Sequence, residues 1–90
     1  MSQLLSRQLE YFIAVYRHRD LNQAARSIPI TYQGLKKSIT KLERDLQVPL
    51  FIQNEDGILE STHAADLLYD MALRWVQDEA QLETLLYEHE

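Results

Sequence analysis

Ninety residues with two Gly, two Pro and no Cys set the bounds of one small domain with short loops, no disulfides and no thiolate metal site. The net charge of −5 is unevenly spread. Residues 1–49 hold eight Lys/Arg against four acids, and residues 50–90 hold one Arg against ten acids. A basic contact face in the first half, with an acidic remainder held away from it, is the simplest meaning of that asymmetry. The longest apolar run, Tyr11 to Tyr16, is too short for a bilayer, and no apolar signal stretch opens the chain. The expectation is a cytoplasmic chain with no membrane partner.

Ser6 is the expected cap of a first helix over about Arg7 to His18. Its Leu9, Phe12, Ile13 and Tyr16 follow the i, i+3, i+4, i+7 spacing of one buried stripe. Asp20 or Asn22 caps a short second helix that ends before Pro29. Ala24 and Ala25 in it are small enough for another helix to approach closely. Thr31 is the expected N-cap of a third helix, about Tyr32 to Leu46, with Leu35, Ile39, Leu42 and Leu46 as its apolar stripe. Lys37, Lys41 and Arg44 fall on another face, with Lys36 beside them. Two short helices joined by the Ile28-Pro29-Ile30 turn form a helix-turn-helix, whose second helix lies in a DNA major groove. An ordinary solvated helix face is the plain alternative for that charge.

Val48-Pro49 ends the third helix. Leu50 to Gln53 and Ile58 to Glu60 are short strand-like runs around the turn residues Asn54-Glu55-Asp56-Gly57, hence a small β-hairpin. Thr62 caps a last helix that continues to about Tyr87 or the chain end, about 26 residues and roughly 40 Å long. Leu68, Met71, Trp75, Asp78, Leu82, Leu85 and His89 recur on it at alternating spacings of 3 and 4, widened by Leu67, Val76 and Leu86. A helix this apolar calls for a partner helix. Asp78 is expected at the edge of a wider interface. The fold class is therefore mainly α: a winged helix-turn-helix over 1–61, followed by a long dimerisation helix over 62–90.

Catalytic chemistry is not indicated. His18, His63 and His89 lie far apart, without metal-type partners, and the two glycines, Gly34 and Gly57, make no phosphate loop. No catalytic residue, metal or cofactor is expected. Tyr11, Tyr69, Trp75 and Tyr87 fit helical packing patterns. Tyr32 differs, because it opens the third helix where a recognition helix meets base edges or phosphates.

The segments LEYFIAVYRHRDLNQAA (Leu9 to Ala25), SITKLERDLQVPLF (Ser38 to Phe51) and STHAA (Ser61 to Ala65) resemble the DNA-binding domain of LysR-type transcriptional regulators. The resemblance covers residues 4 to 90. It implies a winged helix-turn-helix, a linker helix that pairs antiparallel into a homodimer, and a C-terminal effector-binding domain absent from this chain. A small-molecule effector is thus expected only where such a domain exists: the simplest expectation is that the chain is an N-terminal fragment of a longer regulator, and the alternative is a natural short protein. Where the family usually has Ser-Gln-Pro-Ala-Leu-Ser, this chain has Thr31-Tyr32-Gln33-Gly34-Leu35-Lys36, so base preference does not carry over. Lys37 matches the family's usual Arg. The family wing is commonly basic, whereas here it reads Gln53-Asn54-Glu55-Asp56, which leaves the wing off the DNA or limits it to amide contacts through Gln53 and Asn54. Ala65 stands where the family has the Gly of Thr-x-Ala-Gly.

The sequence thus points to sequence-specific binding of double-stranded DNA at a pseudo-palindromic operator by a bacterial transcription regulator. The recognition helix, about 31–46, lies in the major groove. Its expected contacts are Thr31, Tyr32, Gln33, Lys36, Lys37 and Lys41, with Arg7, Arg26 and Arg44 as flanking phosphate contacts. The expected dimer seam is Leu68, Met71, Trp75, Leu82 and Leu85. The alternative is a protein-interaction or dimerisation module with a degenerate DNA-binding face, motivated by the acidic wing and second half.

Overall fold

The computed structural model describes the backbone of residues 3–88 and the side chains of residues 7–78 and of residue 80. Its elements in chain order are α1 (Gln3–His18), α2 (Leu21–Ser27), α3 (Tyr32–Leu46), β1 (Phe51–Gln53), β2 (Leu59–Ser61) and α4 (His63–Glu88). α1 begins a full turn before the expected Arg7, so Ser6 lies inside the helix and does not cap it. No Pro or Gly stands between Gln3 and Ser6 to stop the helix, and serine is only mildly unfavourable within one. Arg17 and His18 occupy the last turn, where positive charge suits the helix dipole. Arg19 then turns left-handed, at φ 57°, and closes the helix with its N–H on the Val15 carbonyl at 2.8 Å.

The next caps follow the sequence. Asp20 Oδ1 accepts from the Gln23 N–H at 3.1 Å, which opens α2. Ile28 is extended because Pro29 follows it, and the Ile30 N–H bonds back to the Ile28 carbonyl at 2.8 Å around the proline. Thr31 Oγ1 accepts from the Gly34 N–H at 3.0 Å and opens α3. A Cβ on Gly34 would lie 3.1 Å from that hydroxyl and 3.2 Å from Ile30 Cγ1, so the missing side chain gives the turn its room. α3 ends on Gln47, left-handed at φ 59°, with the Val48 N–H on the Glu43 carbonyl at 3.2 Å.

β1 and β2 pair antiparallel with Phe51 opposite Ser61, Ile52 opposite Glu60 and Gln53 opposite Leu59. Each strand starts one residue later than its sequence pattern suggested. The Leu50 and Ile58 N–H groups bond side chains rather than the facing strand. The Leu50 N–H bonds Glu43 Oε2 at 2.7 Å, and the Ile58 N–H bonds Asn54 Oδ1 at 3.0 Å. Gly57 takes φ +80° in the connecting turn, a conformation an L side chain rarely adopts.

Phe12, Val15, Ala24, Leu35, Leu50 and Ala65 are fully buried and draw α1, α2, α3, the strand entry and α4 into one core. The stripe of α1 is wider than expected: Leu9 and Phe12 are buried, Ala14 and Val15 join them, and Ile13 and Tyr16 are half-buried. On α3, Leu35, Ile39 and Leu42 are buried but Leu46 is 46% exposed. Leu46 is the last helical residue, and the Gln47 turn carries the chain away from the core there. Thr62 Oγ1 donates to the Pro49 carbonyl at 2.7 Å and accepts from the Ala65 N–H at 3.2 Å, capping α4 against the wing. α4 buries Ala65 and Ala72 and lays Leu68 and Tyr69 on the core. Among the described residues no helix is long and apolar enough to cross a membrane.

Candidate nucleic-acid interface

α3 is held to the core by Leu35, Ile39 and Leu42, so its opposite face is presented to solvent. Gln33, Lys36, Lys37, Thr40, Lys41 and Arg44 line a shallow groove on that face. A second groove runs between α1 and α3 and is lined by Arg7, Gln8, Tyr11, Gly34, Lys37, Ser38 and Lys41. Lys37 and Lys41 belong to both, so Arg7 joins the same basic surface although it lies a whole element away in sequence. Arg26 is exposed on the last turn of α2 and lines neither groove. Thr31 and Tyr32 are exposed at the start of α3, with Thr31 already accepting one bond as the cap.

Two features set which charges make up this face. The Glu43 carboxylate is directed toward the wing entry, where Oε2 accepts from the N–H groups of Leu50 at 2.7 Å and Phe51 at 3.3 Å. Arg17 and Arg19 are committed elsewhere: Arg17 Nε donates to the Tyr69 hydroxyl at 3.0 Å, and Arg19 Nε donates to the Tyr16 carbonyl at 2.6 Å. The basic surface is therefore made by Arg7 and the four cations of α3, and Arg26 stands outside both groove linings.

The wing contributes little positive potential. Asn54 Oδ1 accepts from the N–H groups of Asp56 and Ile58, both at 3.0 Å, so this oxygen builds the turn. Gln53 Nε2 donates to the Gly57 carbonyl at 3.3 Å. Glu55, Asp56 and Glu60 are exposed around them. Both amides expected at the DNA thus already have a structural bond inside the hairpin.

The apolar surface of α4 is divided differently from the expected seam. Leu68 is half-buried against its own core, while its neighbour Leu67 is 53% exposed and Met71 is 62% exposed. Trp75 is half-buried and Val76 is 37% exposed. Ala65, Leu68 and Ala72 serve the chain's own head, so the free stripe begins with Leu67 and Met71. The Leu82 and Leu85 side chains lie outside the described residues.

Sequence reasoning missed a cluster at the foot of α4. The Tyr16 hydroxyl donates to Asp66 Oδ1 at 2.8 Å, and the Ser61 hydroxyl donates to the same oxygen at 2.7 Å. The Asp66 carboxyl is held below the ordinary carboxylate range, chiefly by the Ser61 bond and then by Tyr16, against a desolvation penalty. The Tyr16 phenol is pushed up, first by its bond to Asp66 and then by burial. No local signal announces the cluster, because Tyr16 and Asp66 are 50 residues apart. Among the described residues no group of His, Asp or Glu could hold a metal ion.

Residues 6–66 match the model of the bacterial regulatory helix-turn-helix proteins of the lysR family. Over 68 residues, 76% of the chain, the sequence is 37% identical to the probable cat1 operon transcriptional activator of Acinetobacter lwoffii, of which this covers 22%. Over the same length it is 35% identical to the HTH-type transcriptional regulator BudR of Klebsiella aerogenes, of which this covers 47%. The chain thus spans less than half the length of these curated relatives. Its fold matches the BenM DNA-binding domain in complex with benA site 1 DNA at a TM-score of 0.89 and 22% identity, over 100% of both chains. It matches the CbnR DNA-binding domain in a DNA complex at a TM-score of 0.87 and 25% identity, over 99% of this chain and 98% of the other. The resemblance carried by the Ala24-Ala25 helix and the Leu-x-Val-Pro-Leu-Phe run is thereby established: the chain belongs to the lysR family of bacterial regulatory helix-turn-helix proteins and carries that family's winged helix-turn-helix DNA-binding domain.

Proposed function

We propose that this chain reads double-stranded DNA as a homodimer, within a cytoplasmic transcription regulator rather than an enzyme. Residues 1–61 form the reading head and residues 62–90 the dimerisation helix. The observation that carries the reading is the solvent-facing side of α3, where Lys36, Lys37, Lys41 and Arg44 surround Gln33 and Thr40 with no carboxylate among them. Such a face offers phosphate neutralisation along its length and donors for base edges at its start. Thr31, Tyr32 and Gln33 stand at the N-terminal end of α3, where the free backbone N–H groups and the dipole favour a phosphate. Lys37 is placed for a phosphate or for guanine O6/N7, and Lys36, Lys41 and Arg44 for phosphates. Arg7 and Arg26 extend the contact to flanking phosphates.

Glu55 and Asp56 repel phosphates, so the wing stays off the backbone or contributes only the remaining amide N–H groups of Gln53 and Asn54. Dimerisation through α4 is supported by Leu67 and Met71, exposed large apolar groups on one helix. A two-fold dimer requires a pseudo-palindromic operator with two half-sites. A small-molecule effector would act through a further domain, as expected for the longer members of the family.

The acidic wing also favours a second reading, a protein-interaction module whose DNA face has degenerated. Selection of the purified chain on a random duplex library separates the two. An enriched inverted repeat supports DNA reading, and recovery of no motif at low salt supports the interaction module.

A further inference from the structure

The side chains that join the reading head to α4 are not used by the basic face. Tyr16 sits in the last turns of α1, Ser61 ends β2, and Asp66 and Tyr69 lie in the first two turns of α4. Both hydroxyls, of Tyr16 and Ser61, converge on Asp66 Oδ1, at 2.8 and 2.7 Å. The Tyr16 ring stacks on Tyr69 with centroids 3.9 Å apart and planes 12° from parallel. Arg17 ties the far end of Tyr69 back to α1 at 3.0 Å, and the Arg19 guanidinium lies 4.4 Å from the centroid of the Tyr16 ring. A hydrogen bond at Asp66 and a stack at Tyr69, three residues apart on one helix face, restrain both the tilt of α4 and its rotation about its own axis.

From this geometry we infer that Tyr16 and Asp66 are positioning residues: they set the angle at which α4 leaves the reading head, and so the half-site spacing the dimer accepts. The inference rests on the proposed dimer through α4. The lever is long. The 26 residues of α4 span about 39 Å. A change of ~10° at its foot moves the far end by ~7 Å, about two base-pair steps of ~3.4 Å. Both bonds are exposed, and hydrogen bonds of this kind bias a conformational equilibrium by about two- to fivefold each. That is enough to separate a preferred spacer from its neighbours without touching a DNA contact.

The test uses the whole chain and duplexes carrying two selected half-sites, with the spacer lengthened or shortened by one or two base pairs. Tyr16→Phe removes the hydroxyl and keeps the stacked ring. Asp66→Ala removes the acceptor, and Asp66→Asn restores an acceptor oxygen. Affinity for a single half-site, sedimentation and thermal melting are recorded beside the spacing profile. The expected result is a wild-type chain that prefers one spacer. Tyr16→Phe and Asp66→Ala lose about two- to fivefold of that preference, and Asp66→Asn recovers most of it. Single half-site affinity and dimerisation stay unchanged. A Tyr16→Phe chain with the wild-type spacing profile overturns the inference alone, as does a parallel loss of single half-site affinity. A wild-type chain that is monomeric, or that binds no duplex, overturns the inference together with the reading on which it rests.

Discussion

Lys37→Ala isolates the electrostatic part of the proposed interface. Lys37 is exposed and lines both basic grooves, so its loss removes charge from the centre of the surface and nothing from the core. Alanine is the better helix former, so α3 should persist. Each phosphate neutralised contributes about −0.9 to the slope of log affinity against log salt, or about −1.8 for two heads of a dimer. Between about 50 and 200 mM salt, the wild-type affinity should therefore fall about tenfold more than that of Lys37→Ala. Fluorescence anisotropy with a labelled operator duplex reads both slopes. Parallel lines for wild type and Lys37→Ala would refute the phosphate assignment. A constant affinity loss with an unchanged slope would leave Lys37 only a base contact.

Glu43→Ala leaves the Leu50 and Phe51 N–H groups without their acceptor in a half-buried strand entry. The expected cost is about 2 kcal/mol, read as a fall in melting temperature of about 8–16 °C for a domain of this size; a fall under about 2 °C would remove Glu43 as the anchor of the wing. Met71→Asp alters a side chain that is 62% exposed, so the fold should survive. Two lost copies should weaken the dimer by about 2 kcal/mol, roughly thirtyfold in dissociation constant. An unchanged sedimentation profile would move the interface off this stripe. At the foot of α4, Asp66 is depressed by Ser61 and Tyr16, so its contribution is complete above the ordinary carboxylate range and is lost as pH falls through its lower folded value. Tyr16 is raised, so its contribution is complete below the ordinary phenol value and is lost as pH rises through its higher folded one. The melting-temperature gap between wild type and Ser61→Ala should thus be full near neutrality and close below about pH 4. A gap independent of pH would contradict the role given to the Asp66 carboxylate.

What the sequence made legible was local. Asp20, Thr31 and Thr62 announced their helices because a cap acts over three residues, and each does so here. The hairpin was legible because Asn54 and Gly57 are turn chemistry wherever they occur. The start of α1 was not, since a helix without a breaker simply runs on through Ser6. Periodicity found the apolar stripe of α4 but not which of its residues the chain's own head takes up. Leu67 and Leu68 differ by one position on the helix, and only the packed head decides that Leu68 is taken and Leu67 is free. Glu43 was legible as part of a family motif but not as the acceptor for two strand N–H groups. The Tyr16–Asp66 contact needs the fold itself, because nothing local relates residues 50 apart.

The same distinction resolves the acidic charge of the chain. A net −5 is an average over surfaces of opposite charge, and the structure keeps them apart. Arg17 and Arg19, counted among the basic residues of the first half, are withdrawn to the foot of α4. Glu43, counted against the basic face, is withdrawn to the wing. What lines the groove on α3 is Gln33, Thr40 and four cations, with Asp45 exposed on the helix outside that lining, while Glu55 and Asp56 leave the wing no positive charge. On the proposed reading, affinity for DNA should therefore depend on few side chains. Lys37 and Lys41, shared by both grooves, should each matter more here than a single lysine would in a domain with a basic wing to support it.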